Sequence, residues 1–265
     1  MTRSGRERRR SRRAKAPPTP EPDWAYFFDI DGTLVDIADT PSDVRWGPGL
    51  SRLVTALYHS SGAAVALISG RPITSIDRLF PDVRMPAAGQ HGVERRDGVG
   101  RVSRHAFPSA GLDQVRARLA DAVARHPRLL LEDKGLSLAL HYRGAPRLGG
   151  YAHQLLRSML ALVGAEYCLL TGKRVVEMKP AGRDKGTAVL EFMQKEPFRA
   201  RIPVFVGDDI SDEYGFAVVN HLNGYSVKVG HGPTVARWRL PTVRDVLAWL
   251  ERGNPGSRPT VRAAS

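Results

Sequence analysis

The chain has 265 residues, 42% of them hydrophobic, with 26 glycines, one cysteine and a formal charge of +13 at pH 7. This length suits one large domain or a domain carrying a smaller one. The lone Cys168 excludes an intrachain disulfide and a cysteine metal cluster, and no apolar run approaches the length of a membrane span.

The charge is unevenly placed. Residues 1–22 carry eight Lys and Arg against Glu7 and Glu21, so nearly half of the excess sits there. The segment is almost free of apolar residues and closes with Pro17–Pro18–Thr19–Pro20–Glu21–Pro22. Residues 1–23 are therefore expected to form a disordered basic tail without the apolar stretch of a secretory signal. Such an arm can touch nucleic acid or an anionic membrane. The remaining positive charge shows no basic cluster, so neither partner is expected, although a nucleic-acid-binding protein stands as the rival of a different class. Cys168, within Tyr167–Leu170, reads as a buried thiol, compatible with a reducing, cytoplasmic compartment.

Trp24–Ala25–Tyr26–Phe27–Phe28 is an unbroken apolar run that ends in Asp29–Ile30–Asp31–Gly32–Thr33. Apolar residues on both sides of a strand mean both faces are covered, as in a parallel sheet between helices. Residues two apart point the same way, so Asp29 and Asp31 could share one side where the chain leaves the sheet. Open α/β sheets bind ligands at such strand ends. Two carboxylates there repel unless a cation neutralises them or one holds a proton. That suggests a hard-metal site with an acid–base partner. The competing reading is a hairpin, with Asp31–Gly32 as its two-residue turn.

A polar loop over Pro41–Pro48 follows, and Leu50, Leu53, Val54, Leu57 and Tyr58 then recur at helical spacing. Gly62 closes that helix, and Ala63–Ile68 reads as a second buried strand. It ends in Ser69–Gly70–Arg71–Pro72, with Pro72 suited to the first turn of another helix. Within residues 84–107, Ala88–Gly89–Gln90–His91–Gly92 reads as a short sheet edge or turn. From residue 108 the pattern changes. A helical stripe (Leu112, Val115, Leu119, Val123) precedes strands Leu129–Glu132 and Leu136–Tyr142; a second (Leu155, Leu156, Met159, Leu162, Val163) precedes Tyr167–Thr171 and Arg174–Met178. Helix–strand–strand twice over predicts an antiparallel sheet backed by two helices.

The α/β pattern resumes at Arg183–Asp184–Lys185–Gly186, which opens an amphipathic helix. Ile202–Val206 is another buried strand, ending in Gly207–Asp208–Asp209–Ile210–Ser211–Asp212–Glu213. A strand at Tyr225–Val229 and a helix around Arg244–Leu250 complete the pattern. The predicted fold class is α/β: a doubly wound parallel-sheet core over residues 24–107 and 179–252, an inserted α+β cap domain over 108–178, and a flexible tail over 253–265. Asp29 with Asp31, Ser69, Lys185, and Asp208 with Asp209 and Asp212 each fall at a strand end or helix start. Alone, each could be a cap or a solvated charge. Together on one sheet edge they suit phosphoryl transfer, because Mg2+ takes oxygen ligands and a lysine and a hydroxyl can hold phosphate oxygens. One aspartate can attack phosphorus while the other moves the proton.

Asp29–Ile30–Asp31–Gly32–Thr33 with Ser69, Lys185 and Gly207–Asp208–Asp209 resembles the haloacid dehalogenase (HAD) superfamily. Leu67–Arg71, Gly89–Gln90–His91–Gly92, Leu131–Gly135, Ala139–Arg143, Val175–Pro180 and Phe216–Asn220 are similar to the trehalose-6-phosphate phosphatases within it. The resemblance spans residues 24–251; Gln90 departs from it where a small residue is common. It implies an HAD-like core and hydrolysis of trehalose 6-phosphate to trehalose and phosphate, with Mg2+ as cofactor; a cytoplasmic monomer is the accompanying expectation. Asp29 would be the nucleophile and a metal ligand, and Asp31 the acid–base residue, touching the metal through its carbonyl. Asp208 would complete the metal's protein ligands, with Asp209 and Asp212 supporting them. Ser69 and Lys185 would hold the phosphate, with Gly70 and Arg71 in the same binding segment. Glu132, Lys134 and Glu177 would hold the sugar, with His91 and Arg143 lining the same cleft. Another sugar phosphate, such as sucrose 6-phosphate, is the nearest alternative substrate.

Overall fold

The computed structural model describes residues 15–37, 47–81, 83–108 and 110–253. Residues 1–14 of the expected tail, most of the Pro41–Pro48 loop and residues 254–265 of the expected C-terminal tail lie outside them.

The chain begins with β1 (Trp24–Phe28), α1 (Pro48–Ser60), β2 (Val65–Ile68), α2 (Ile73–Leu79), β3 (Ala87–Gly89), β4 (Glu94–Arg96) and β5 (Val102–Arg104). A second set follows: α3 (Leu112–Arg125), β6 (Leu130–Asp133), β7 (Leu138–His141), α4 (Gly149–Val163), β8 (Tyr167–Gly172) and β9 (Val175–Pro180). It ends with α5 (Lys185–Met193), β10 (Ile202–Gly207), α6 (Asp212–His221), β11 (Tyr225–Val229), β12 (Trp238–Leu240) and α7 (Val243–Gly253). The predicted elements are all present. The periodicity did not reveal β12, a three-residue edge strand too short to carry a pattern. Pro72 precedes α2 as its N-cap rather than lying in its first turn.

Two sheets form, one eight-stranded in the order β12-β11-β10-β1-β2-β3-β4-β5 and one four-stranded in the order β6-β7-β9-β8. β1 pairs in parallel with β10 on one side and β2 on the other, so the hairpin reading of Asp31–Gly32 fails. The chain instead closes a tight loop after β1, with the Gly32 N–H donating to the Val35 carbonyl at 2.7 Å. β1 is buried along its whole length, and its alternation feeds two cores. Tyr26 and Phe28 pack with Leu53, Val54 and Leu57 of α1 and Trp249 of α7. Phe27 packs on the other face with Phe192 of α5 and Phe216 of α6. A strand with large apolar side chains on both faces can sit only at the centre of such a sandwich.

The four-stranded sheet obeys the opposite logic. Leu138, Leu140, Val176 and Met178 point to one face, where they meet Leu119 of α3 and Leu156 and Met159 of α4. The period of two then sends Glu132, Ala139 and Glu177 to the other face. Glu132 is directly opposite Ala139, and Ala139 directly opposite Glu177. The two glutamates therefore stand in one cross-strand row with a small residue between them.

The expected tail needs correction over its described part. From Lys15 to Pro22 the chain has no helix or strand, yet Pro17 and Pro20 are buried. The Pro18 carbonyl accepts from the Trp249 indole N–H at 2.6 Å. Lys15 lies 4.8 Å over the Trp238 ring, and its carbonyl accepts from the Arg239 N–H at 3.2 Å. Proline-rich composition signalled disorder, but proline carbonyls are good acceptors and the pyrrolidine rings pack against an edge already present.

Candidate active site

β10, β1 and β2 are adjacent and parallel, so their carboxyl ends open side by side. Asp208, Asp29 and Ser69 follow those ends directly. Lys185 arrives from the first turn of α5, whose start is fixed by a capping box: Asp184 accepts from the Thr187 N–H at 2.8 Å, and Thr187 accepts from the Asp184 N–H at 3.0 Å. The buried Lys185 ammonium lies 2.7 Å from both Asp29 Oδ1 and Asp212 Oδ1. Burial works to lower its pKa, but Asp212 and Asp29 outweigh it and hold the lysine charged. Asp29 is pushed well up by burial, against the pull of Lys185 and reinforced by Asp212 and Asp208. Its ionised form therefore calls for more positive charge than the lysine supplies.

Carboxylate oxygens of Asp29, Asp208 and Asp212 lie within 4.8 Å of one another, so these three could hold a metal ion. Their hydrogen bonds separate them. Asp212 spends Oδ2 on the N–H groups of Asp208 and Asp209, both at 2.8 Å, and Oδ1 on Lys185. It is a buttress for the loop after β10. Asp208 keeps Oδ1 buried without a partner, which is the orphaned oxygen a divalent cation would satisfy. The residues fit a hard metal. A Cβ at Gly32 (φ +84°) would overlap the Asp208 carboxylate, so only glycine allows this approach. Asp209 also lines the cleft, and its carboxylate faces Gly172, the last residue of β8.

Across the cleft, Lys134 Nζ lies 3.1 Å from Glu177 and 4.0 Å from Glu132. His91 Nε2 meets Glu177 at 3.3 Å, and His141 Nε2 meets Glu132 at 2.8 Å. Burial would raise Glu177, but Lys134 and then His91 overcome it and hold the carboxylate far below its ordinary range. Burial likewise opposes the Lys134 charge, and Glu177 and Glu132 restore it. Three fixed charges thus face the cleft from a rigid sheet row and its hairpin. Asp29, Asp31, Ser69, Lys185, Glu132, Lys134, His91, Arg143 and Glu177 all line one cleft. The cleft lies between the two sheets' folding units, a common place for a small-molecule site.

Several residues of this site had no signature in the pattern. Lys173, between β8 and β9, reaches over to pair with Asp208 Oδ2, and its carbonyl accepts from Arg143 Nη2 at 3.4 Å. Gly172–Lys173 reads in sequence only as a hairpin turn. Lys228 is buried in β11 and donates to the Asp208 carbonyl at 2.5 Å; a lysine inside an apolar strand was the one available signal. Gln90 has φ +48° and His91 φ +57°, uncommon for residues with a Cβ. The Gln90 amide donates to Glu94 and accepts from Ser137 Oγ at 3.5 Å. It therefore ties the core to the second sheet rather than touching the cleft's chemistry. Arg71 forms a bidentate pair with Asp31.

A trehalose-phosphatase family model matches residues 27–243. The chain is 44% identical over 228 residues to the trehalose-6-phosphate phosphatase of Escherichia coli, covering 86% of this chain and 85% of that one. It is 42% identical over 207 residues to a probable trehalose-phosphate phosphatase of Sinorhizobium fredii, covering 78% of each. Among solved structures, the C-terminal domain of C. albicans trehalose-6-phosphate phosphatase superposes with a TM-score of 0.77 at 22% identity, covering 87% of this chain and 91% of that one. An HAD subclass IIB sugar phosphatase superposes at 0.58 and 14%, covering 89% and 100%. The fold is that of the HAD phosphatases, and the chain belongs to the trehalose-phosphatase family.

Proposed function

We propose that this enzyme hydrolyses trehalose 6-phosphate to trehalose and phosphate through a phosphorylated Asp29. The observation that carries the reading is the facing of two chemistries across one cleft. Asp29, Ser69 and Lys185 stand on the parallel-sheet edge, opposite the Glu132–Lys134–Glu177 row. The first set suits a phosphate; the second suits sugar hydroxyls, because carboxylates accept from diols and an ammonium donates to oxygens.

In the first step an Asp29 oxygen bonds to phosphorus, the bond from phosphorus to the sugar oxygen breaks, and Asp31 gives that oxygen a proton. In the second, water attacks the same phosphorus, Asp31 takes the water's proton, and the Asp29–phosphorus bond breaks to return the carboxylate. Ser69 Oγ and Lys185 Nζ hold phosphate oxygens throughout. Asp29, Asp208 and the Asp31 carbonyl would hold Mg2+, which when bound supplies the positive charge that lets a carboxylate meet a phosphate dianion. Proton transfer of this kind is typically worth about 10²–10⁴-fold. We assign residues 24–107 and 179–252 to the catalytic domain and 108–178 to a cap that shuts water out. Cys168 is free, in keeping with a reducing compartment. Among the described residues no helix is long and apolar enough to cross a membrane.

The test is phosphate release from a panel of sugar phosphates with and without Mg2+. Trehalose 6-phosphate should be preferred by at least about tenfold, which corresponds to roughly 1.4 kcal/mol in the transition state. Equal rates on unrelated sugars, or a preference for sucrose 6-phosphate, would overturn the substrate assignment. Full activity in excess chelator would remove the metal.

A further inference from the structure

Arg71 stands next to the phosphate-gripping Ser69, where it would be expected to bind substrate. The geometry points to a different role: we propose that Arg71 is a positioning residue that aims the Asp31 carboxyl at the leaving-group oxygen. Its Nε donates to Asp31 Oδ2 at 2.6 Å and its Nη2 to Oδ1 at 2.7 Å. A guanidinium has donors only. A proton on Asp31 must therefore sit on the edge of the carboxyl that faces away from Arg71. Both line the cleft, with the side chain of Arg71 9% exposed and that of Asp31 33%, so the edge of Asp31 that the fork does not cover is the more accessible one. The fork thus selects which edge of the acid presents its proton.

The arginine is itself fixed. Its N–H donates to Ser69 Oγ at 3.2 Å, and its carbonyl accepts from the Gln90 N–H at 3.0 Å. A Cβ on Gly89 would come within 2.8 Å of that carbonyl, so the strand can approach only as glycine. One turn after β2 therefore sets both the phosphate's grip, through Ser69, and the acid's aim, through Arg71 and Asp31. Asp31 lies on the loop after β1, and the two-point bond spans that gap. A bidentate Arg–carboxylate pair fixes orientation as well as distance, and misplacement of a proton donor by about an ångström can cost about a hundredfold.

The proposal rests on the phosphatase reading, but its test uses substrates without a sugar. The ratio kcat/KM reports phosphoryl transfer to Asp29 for a series running from para-nitrophenyl through phenyl to para-methoxyphenyl phosphate. Good leaving groups depart without a proton and poor ones need it. Arg71→Ala should lower kcat/KM about a hundredfold for the poorest leaving group and less than about tenfold for the best, steepening the dependence on leaving-group basicity. Arg71→Lys, which keeps the charge without the fork, should fall between and covers the case of a poorly folded alanine variant. In an Asp31→Ala background, Arg71→Ala should cost little more, because it acts through the residue already removed. Equal losses across the aryl series would mean that Arg71 grips phosphate and would overturn the proposal. So would an unchanged aryl series with a loss only on trehalose 6-phosphate, which would make it a sugar contact. Wild-type rates on the sugar-phosphate panel judge the substrate assignment separately.

Discussion

At the scale of single residues, Asp29 and Lys185 show what burial demands. Asp29, Asp208 and Asp212 lie at or below 5% exposure with one lysine at 2% among them. Asp29→Asn keeps the shape and removes the nucleophile, so turnover should fall by at least about 10³-fold while thermal unfolding stays near wild type. A tenth of the wild-type rate in a folded variant would rule the role out. Lys185→Met leaves the buried Asp29 and Asp212 without their shared cation. Removing one partner of a buried pair costs about 3–5 kcal/mol, and urea unfolding should show a loss of that size beside the loss of activity. Asp29, Asp31, Ser69, Lys185 and Asp208 were readable in sequence because each ends a buried strand or opens a helix, where position alone assigns direction. Lys173 and Lys228 were not, because their significance lies in a neighbour that only the fold supplies, the Asp208 carboxylate and carbonyl. Asp209, read as support for the metal ligands, lines the same cleft beside Asp208.

At the scale of elements, the four-stranded sheet turns a period of two into a recognition surface. The alternation in β7 and β9 was legible, and with it the apolar face against α3 and α4. The register that sets Glu132, Ala139 and Glu177 in one row was not, because pairing partners are fixed by the sheet as a whole. Glu132→Ala or Glu177→Ala should reduce kcat/KM for trehalose 6-phosphate by about ten- to a hundredfold, the worth of a charged hydrogen bond. Phenyl phosphate should lose much less, and equal losses on both would mean the row does not read the sugar. The same row carries a pH signature. Burial lowers His91 from its ordinary 6.5, so the folded state stays neutral there while the unfolded chain binds a proton. That contribution is present above pH 6.5 and is lost as pH falls below it. Glu177, ordinarily 4.5, is depressed in the fold, so its contribution is present above pH 4.5 and lost below. Each titration can lower stability by up to about 1.4 kcal/mol per pH unit. Between pH 6.5 and 5, urea midpoints of His91→Asn should therefore fall less steeply than wild type. Parallel curves would refute the assignment of that window to His91.

At the scale of the whole molecule, the core sheet orders its strands so that β1 has parallel neighbours leading away on both sides, and the catalytic edge opens there. The second sheet enters the chain between β5 and α5, and both segments that join it to the core start near the same edge. The sequence placed this division at residue 108 from a change of period, the switch from α/β to helix–strand–strand. Composition misread the approach to β1. Lys15–Pro22 was classed with the basic tail on its prolines and charge, yet its backbone is a partner of α7 and β12. Trp249 is fully buried, and its indole N–H has the Pro18 carbonyl as its acceptor at 2.6 Å. Removing the segment breaks that bond, a net loss of about 0.5–1.5 kcal/mol once water can reach the indole. Loss of the Lys15–Trp238 stacking adds about 0.5–1 kcal/mol. The Tyr26 hydroxyl also donates to the Glu21 carbonyl at 2.6 Å, from the strand that carries Asp29. A chain beginning at Asp23 should therefore be about 2–4 kcal/mol less stable than one beginning at Lys15. The difference should persist in high salt, because the bonds are buried and mostly uncharged. Were the segment only an electrostatic arm, the two truncations would unfold together and differ instead in salt-dependent binding to nucleic acid. Urea unfolding of both at low and high salt decides between these outcomes, and Trp249→Phe offers the cross-check. Without an indole N–H to satisfy, the phenylalanine variant should lose less than wild type when Lys15–Pro22 is removed.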